Sequence, residues 1–207
     1  MWAKMKFPEM KVVNYSALPD FNGITFGLGF IKDERSGYVY GYGQKNIPQT
    51  IENNVYVARF PINNPNTLWE CWDGAAWSRD MSKAAAIGQA AVTPHVSKVN
   101  NKYLLLSSAL SVACDQGKEI FASVSDKITG PFSARKTIYT IDDTLQGHTP
   151  FFYTVVAHPQ FNNKKGLLIT YCINGYAPCL EACPGGRAQP DYYRPKGIRV
   201  PLKMIEQ

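Results

Sequence analysis

The sequence predicts an all-β fold: a β-propeller-type array of three four-stranded antiparallel blades, in a ring that is incomplete or completed by another chain. Three observations predict it. A pattern of apolar run, polar turn and second apolar run occurs three times. The second run begins at Tyr38, Tyr103 and Leu167, so the successive steps are 65 and 64 residues. Residues that favour strands are abundant, with 12 Tyr and 10 Phe, and no long helical stripe occurs.

The first unit begins with ITFGLGFIKDERSGYVYGYG at 24–43. A third strand, NVYVARFP, follows at 54–61, and a fourth, TLWECWD, follows at 67–73. Four antiparallel strands that meander outward form one blade of a propeller. We therefore expect a first blade at about residues 19–75.

The second unit repeats this order. Its hairpin is AAVTPHVSKVNNKYLLLSSA at 90–109, its third strand EIFASVSD at 119–126 and its fourth RKTIYTI at 135–141. The preceding segment 80–89 has room for one or two helical turns at most. The second blade is expected at 76–142.

The third unit has the hairpin YTVVAHPQFNNKKGLLITYC at 153–172 and a third strand, GIRVPLKM, at 197–204. The Gly- and Pro-rich loop at 174–193 separates them. We expect the third blade at 143–207, without an outermost strand of its own.

The two ends of the repeat do not match. MKVVNYSAL at 10–18 reads as an orphan outermost strand whose blade is missing. We interpret residues 1–207 as a single propeller-like domain. Three blades do not close a ring, because propellers have four to eight. The remaining blades would come from a larger ring or a second chain, or they have been lost.

Composition excludes several classes of function. The residues are 45% hydrophobic and 18% charged, which argues against disorder and coiled coils. The net charge of +6 comes from basic residues scattered over turns, so we expect no nucleic-acid partner. No apolar run is long enough for a membrane span, and MWAKMKFPEM lacks the apolar region of a signal peptide.

Five cysteines occur, and two of them, Cys179 and Cys183, lie four positions apart in the Gly- and Pro-rich loop. A disulfide between them is the favoured interpretation; two free thiols, or zinc with ligands from elsewhere, remain open. Cys172, in an apolar strand, is expected to be a buried free thiol. The glycines of GLGFIKDERSG do not lie between a strand and a helix, which argues against a phosphate-binding loop. We predict no metal site, because no group of potential ligands has a plausible spacing, and we predict no cofactor.

Functional residues of propellers cluster at the central axis, near the starts of the innermost strands. The polar and aromatic residues in or beside these strands are Thr25, Gln89, Thr93, His95, His148, Tyr153 and His158. All three histidines of the chain are among them. Each histidine has an alternative interpretation as a hydrogen-bonded structural residue.

Four stretches carry a family resemblance: WECWDGAAWSRD, SDKITGPFS, AHPQFNNKKGLLITYCIN and YYRPKGIRV. They resemble the C-terminal part of five-bladed propeller proteins from a family of uncharacterised domains related to glycoside hydrolase family 43. The similarity covers about residues 50–207. The matching positions are Trp72-Asp73-Gly74, Trp77, Gly130-Pro131, His158-Pro159, Asn174 and Tyr193-Arg194-Pro195. The resemblance implies a secreted, extracellular propeller of which this chain is the last three blades.

The sequence departs from that family where the chemistry should be. The resemblance implies an inverting hydrolase with a general-base Asp and a general-acid Glu. Val92-Thr93-Pro94 stands where the acid is expected, and no carboxylate occurs between Asp80 and Asp115. Asp142 and Asp143 could reach the central mouth, or could simply form a turn. We therefore assign no catalytic residue.

The favoured hypothesis is a secreted, glycoside-hydrolase-like propeller that binds or hydrolyses carbohydrate. Trp77 would stack on a sugar ring, and His95, His148, Tyr153, Asn174 and Arg194 would supply polar contacts. The alternative is a non-catalytic propeller module for glycan or protein recognition, or for assembly with a second chain.

Overall fold

The computed structural model describes residues 1–174, 179–181, 183–187 and 189–205. This part of the chain is all-β, with fifteen strands and four 3-10 turns. The strands form separate antiparallel sheets in an incomplete propeller-like arrangement, which confirms the predicted fold class. Nowhere in the described ranges is there a helix with the length and hydropathy that a membrane crossing needs.

The first sheet has six strands rather than four. They are β3 (Thr25–Asp33), β4 (Tyr38–Asn46), β5 (Asn53–Pro61), β6 (Glu70–Trp72), β7 (Trp77–Ser78) and β8 (Gly88–Ala90). Both β6 and β8 pair with β5, at its two ends. The first sheet therefore continues past the expected boundary between residues 75 and 76, as far as Ala90. Between β7 and β8, the segment expected to hold helical turns has one 3-10 turn at Met81–Lys83.

The second sheet has the four strands that the repeat predicts. They are β9 (Val92–Val99), β10 (Lys102–Ser108), β11 (Glu119–Ser125) and β12 (Lys136–Thr140). They lie in chain order from the inner strand β9 to the outer strand β12. This sheet is a regular propeller blade.

The third sheet has three strands: β13 (Phe151–Asn163), β14 (Gly166–Asn174) and β15 (Lys196–Val200). The strand expected at 197–204 ends at Val200, and a 3-10 turn follows at Leu202–Met204. Pro201 has no N–H to donate, so the ladder stops there.

The N-terminal strands form a hairpin separate from the blades. β1 (Trp2–Lys6) pairs with β2 (Lys11–Ser16) in a two-stranded sheet. The prediction of an orphan outermost strand at 10–18 is wrong in its pairing, because β2 has a partner in β1. We call this unit the N-terminal hairpin.

The second sheet is buried on both faces, and this determines the core. Leu104, Leu105 and Leu106 of β10 are all at most 2% exposed. Leu105 belongs to the cluster shared with the first sheet, and Leu104 and Leu106 belong to the cluster shared with the third. Successive side chains of a strand point to opposite faces, so three adjacent leucines require an apolar neighbour on each side.

The inner strands of the first two sheets approach closely. Gly29 of β3 has φ +151°, and a Cβ atom there would lie 2.2 Å from the carbonyl oxygen of Val96 in β9. Only glycine accommodates this contact, since any side chain would overlap the neighbouring backbone. The inner strands β3, β9 and β13 thus lie side by side, with β9 in contact with both others.

The first sheet has an aromatic core of its own around Trp69. This indole is 2% exposed, and its ring centroid lies 4.5 Å from that of Phe60 and 5.0 Å from that of Phe21. Its Nε1–H donates to the carbonyl oxygen of Pro65 at 3.2 Å. The cluster joins the outer strands of the first blade to the segment that precedes β3.

We expect Trp69→Ala to lower the free energy of unfolding by about 3–5 kcal/mol, because it removes the centre of this cluster and leaves a cavity. The neighbouring Leu68 is 61% exposed, and Leu68→Ala should change stability by less than about 0.5 kcal/mol. Urea unfolding followed by circular dichroism measures both. Equal effects of the two substitutions would contradict this account of the core.

Candidate functional site

The three inner strands begin at the same edge of the array. Three connecting segments lie at this edge. Segment 109–118 joins β10 to β11, segment 141–150 joins β12 to β13, and segment 189–195 precedes β15. We call this edge the upper rim.

Each inner strand has a bulge in its pairing with the next strand, at a corresponding position near the start of the strand. Residues 93–94 of β9 stand opposite one residue of β10, and residues 154–155 of β13 stand opposite one residue of β14. In β3, residues 27–29 stand opposite one residue of β4. Bulges redirect side chains and occur often beside active sites. Their repetition in all three blades makes the upper rim the candidate functional site.

Two bulge residues, Thr93 and Thr154, have an unusual backbone. Their φ angles are +46° and +54°. A β-branched residue rarely adopts positive φ, and such strain persists where the surroundings hold it in place. The N–H of Thr154 donates to Oγ1 of Thr93 at 3.3 Å, and that Oγ1 lies 3.4 Å from Oγ of Ser108. The two strained residues therefore link the second and third blades at the rim.

A histidine–aspartate pair lies on the same rim. Nδ1 of His148 is 3.0 Å from Oδ2 of Asp115. Oδ1 of Asp115 accepts from the N–H of Thr149 at 2.8 Å, while the N–H of Asp115 donates to the carbonyl oxygen of Thr149 at 3.0 Å. The Thr149 N–H and then His148 hold the pKa of Asp115 below its ordinary value. Asp115 thus orients the imidazole and leaves Nε2 available as an acceptor when Nδ1 is protonated.

The connection between β14 and β15 contacts the turn that carries His148. Gln146 accepts from the N–H of Glu181 at 3.0 Å and donates to the carbonyl oxygen of Glu181 at 3.2 Å. The Gln146 amide also donates to the hydroxyl of Tyr192. These bonds connect the start of the third blade to the loop between its second and third strands.

The disulfide at the rim differs from the predicted one. Cys114 pairs with Cys179, while Cys183 is a free, exposed thiol, so the predicted Cys179–Cys183 bridge is wrong. The two bonded residues are 65 apart, which equals the blade repeat. They occupy corresponding loops of consecutive blades, and the packing of the blades brings those loops together. Cys172 is a free thiol, as expected, although it is half-buried.

Four of the six predicted contact residues lie on the rim or on segments that reach it. His148 is in the pair above, Tyr153 is 36% exposed beside the bulge of β13, and Asn174 ends β14 opposite Phe151. Arg194 forms an exposed ion pair with Asp191 at 2.5 Å.

The other two lie elsewhere. Trp77 stands on the outer strand β7, where its ring stacks on the guanidinium of Arg59 at 4.4 Å and packs against Tyr40. His95 lies further along β9, and Nδ1 is 3.2 Å from Oγ of Ser97. The pKa of His95 is lowered mainly by burial and, to a smaller extent, by the nearby charge of His158. Structural packing accounts for the contacts of Trp77.

The two carboxylates considered for the central mouth, Asp142 and Asp143, make structural contacts within the protein. Asp143 accepts from the hydroxyl of Tyr171 and lies 3.9 Å from Nζ of Lys196. Asp142 accepts from Tyr139 at 3.3 Å. Burial and the bond to Asp143 raise the pKa of Tyr171 far above its ordinary value, so the phenol remains a donor.

Sequence reasoning missed Asp115 as a site residue. It lies in the loop between β10 and β11, far in sequence from His148. The one signal was the adjacent Cys114, whose spacing from Cys179 equals the repeat. Within the described residues, no three His, Cys, Asp or Glu side chains gather as potential metal ligands.

We expect Cys114→Ser to lower the free energy of unfolding by about 4 kcal/mol, because the bridge closes a loop of 65 residues. Cys183→Ser should have little effect, since this thiol is free and exposed. Thermal denaturation under non-reducing conditions compares the variants. A large loss in Cys183→Ser with none in Cys114→Ser would restore the Cys179–Cys183 pairing.

We expect the stability difference between wild type and Asp115→Asn to depend on pH. The folded-state pKa of Asp115 is lowered, so its carboxylate stabilises the fold above its unfolded pKa. This contribution is lost as pH falls through the folded-state pKa, below about pH 4. Urea unfolding between about pH 3 and pH 7 measures the difference, which cancels the contributions of other carboxylates. A difference that stays constant over this range would contradict the assignment.

Two solved structures align with this chain. A candidate hydrolase from Bacteroides ovatus ATCC 8483 aligns with a TM-score of 0.64 and 22% identity, over 91% of this chain and 47% of its own. An endo-arabinase from Bacteroides thetaiotaomicron VPI-5482 aligns with a TM-score of 0.35 and 12% identity, over 72% of this chain and 44% of its own. The chain therefore spans about half the length of these proteins. The first likeness establishes a shared fold.

No curated protein sequence matches the chain. The profile of a domain family, described as a domain of unknown function (DUF5005), matches residues 1–202. Because this match covers nearly all of the sequence, the chain belongs to the DUF5005 family.

Proposed function

We propose that the upper rim binds carbohydrate and that His148 serves there as a proton-transfer group of a glycoside-hydrolase-like reaction. The observation that carries the proposal is the His148–Asp115 pair, 3.0 Å apart, on the edge where all three inner strands bulge. An acid or base group oriented by a second residue is the arrangement that proton transfer requires.

The geometry of the pair suits a general base. Asp115 fixes the imidazole through Nδ1 and is itself fixed by the N–H of Thr149 at 2.8 Å. Nε2 is then free to accept a proton from a water or a sugar hydroxyl. The His148 side chain is 46% exposed, so a substrate can reach it.

Sugar contacts at the rim would come from several of its polar and aromatic groups. Tyr153 offers an exposed aromatic surface, and Arg194 offers guanidinium donors for hydroxyl groups. Asn174 lies at the same edge. The candidate hydrolase with the same fold supports this class of function, as does the family 43 resemblance.

The disulfide supports an extracellular site of action. Disulfides persist in oxidising compartments, and the Cys114–Cys179 bridge stands directly beside Asp115. We also propose that further blades, from the same polypeptide or a second chain, complete the ring around the rim.

A non-catalytic glycan-binding module is the second candidate, and one observation favours it. Thr93, at the position of the expected general acid, is a neutral bulge residue with φ +46°. Asp33 is the one carboxylate within the three inner strands, and it lies at the far end from the rim. Recognition without hydrolysis needs no acid at this position.

We expect His148→Ala to reduce hydrolysis by about 10²–10⁴-fold, the usual contribution of a general acid or base. Release of reducing ends from arabinan, arabinoxylan, galactomannan and mixed-linkage glucan measures it, with aryl glycosides as small substrates. Asp115→Asn should reduce the rate as well, because it weakens the orientation of the imidazole.

His158→Ala is the matched control. Nε2 of His158 bonds to Oγ1 of Thr170 at 2.8 Å, away from the rim pair, so this variant should keep the wild-type rate. Equal rates in wild type and His148→Ala would refute the assigned role. Polysaccharide binding with no turnover by the wild type would select the non-catalytic module.

A further inference from the structure

A second polar cleft lies at the opposite end of the first blade from the upper rim. It has a volume of about 360 Å³ and lies between the N-terminal hairpin and segment 63–66, which joins β5 to β6. The β5 strand begins at Asn53, whose amide reaches the carbonyl oxygen of Ala91 at the rim, and ends at Pro61 beside the cleft. The cleft is therefore separate from the candidate site above.

Six residues of the hairpin line the cleft: Trp2, Ala3, Lys4, Asn14, Tyr15 and Ser16. Trp2 pairs with Ser16, and Lys4 pairs with Asn14, so these four side chains share a face. Oγ of Ser16 donates to Oδ1 of Asn66 at 3.2 Å, and the Trp2 ring lies 5.8 Å from that of Phe60. These contacts fix the face toward the blade.

The polar groups around the cleft are mostly carboxamides. Asn14 comes from the hairpin, and Asn63, Asn64 and Asn66 come from the opposite segment. Each carboxamide offers two donor hydrogens and one acceptor oxygen. Among the described residues, none hydrogen-bonds to the side chains of Asn14, Asn63 or Asn64, so these groups are available to a ligand.

We propose that this cleft binds a neutral oligosaccharide. Sugar hydroxyls both donate and accept hydrogen bonds, which matches a site of four carboxamides. The partly buried indole of Trp2 adds a flat apolar surface on which a sugar ring can stack. Lys4 is the one charged residue of the lining, so hydroxyl recognition outweighs charge recognition. The volume lies within the range of small-molecule sites.

The combined Asn14→Ala and Asn64→Ala variant tests the proposal. Both residues are exposed, and no hydrogen bond joins either side chain to another described residue. Affinity electrophoresis measures binding, in gels with the neutral polysaccharides arabinan, arabinoxylan, galactomannan or mixed-linkage glucan and in a gel with the charged polysaccharide polygalacturonate. We expect about a tenfold loss of affinity for the polysaccharide that retards the wild type, because two neutral hydrogen bonds are removed.

A control variant locates the binding. Asn101 lies in the exposed turn between β9 and β10, away from the residues that line the cleft. Asn101→Ala should bind as the wild type does.

Three results would overturn the proposal. They are an unretarded wild type in every neutral gel, a double variant with wild-type affinity, or retardation confined to polygalacturonate and abolished by salt. Loss of binding in His148→Ala, with wild-type binding in the double variant, would place carbohydrate at the rim alone. That last result refutes the cleft and leaves the proposed rim function standing.

Discussion

The rest of the structure depends on the burial of the second sheet between its two neighbours. Leu104, Leu105 and Leu106 form one run in β10, and their alternation sends apolar groups into both adjacent sheets. A sheet with two apolar faces is stable only when both are covered. This constraint places β9 between β3 and β13 and so sets the three inner strands side by side. Gly29 then permits the backbone contact with Val96 that tightens the first interface.

The rim follows from this packing. Once the inner strands lie together, their bulges meet at one edge, and the strained backbone of Thr93 and Thr154 is joined by a hydrogen bond across two blades. The same packing brings segments 109–118 and 141–150 together, where Asp115 meets His148. The Cys114–Cys179 bridge then fastens this region to the C-terminal loop. Strained φ angles such as those of Thr93 and Thr154 persist where the surrounding structure holds the backbone in place.

The upper rim and the cleft beside the N-terminal hairpin present different chemical groups. The rim has a titratable pair whose members orient each other, which suits a reacting or tightly oriented ligand. The cleft has uncharged carboxamides and an indole, which suit recognition alone. They lie at opposite ends of the first blade. The outer aromatic cluster around Trp69 supports the cleft, because Phe60 contacts both Trp69 and Trp2.

The sequence by itself determined the all-β repeat, since alternating apolar runs and a constant spacing depend only on local order along the chain. It predicted β9, β10, β11 and β12 closely, because each of these strands pairs with its neighbour in sequence. Of the six contact residues that it predicted, four lie in segments that reach one edge, namely His148, Tyr153, Asn174 and Arg194, and their role stays a prediction. Tertiary structure alone decided the partner of Cys179, the pairing of β2 with β1, and the addition of β7 and β8 to the first sheet. It likewise decided that Asp115 lies beside His148 and that Trp77 stacks on Arg59. Each of these contacts joins segments that are close only because of how the blades pack or where the loops run. Local patterns of residues encode neither the packing of the blades nor the path of the loops.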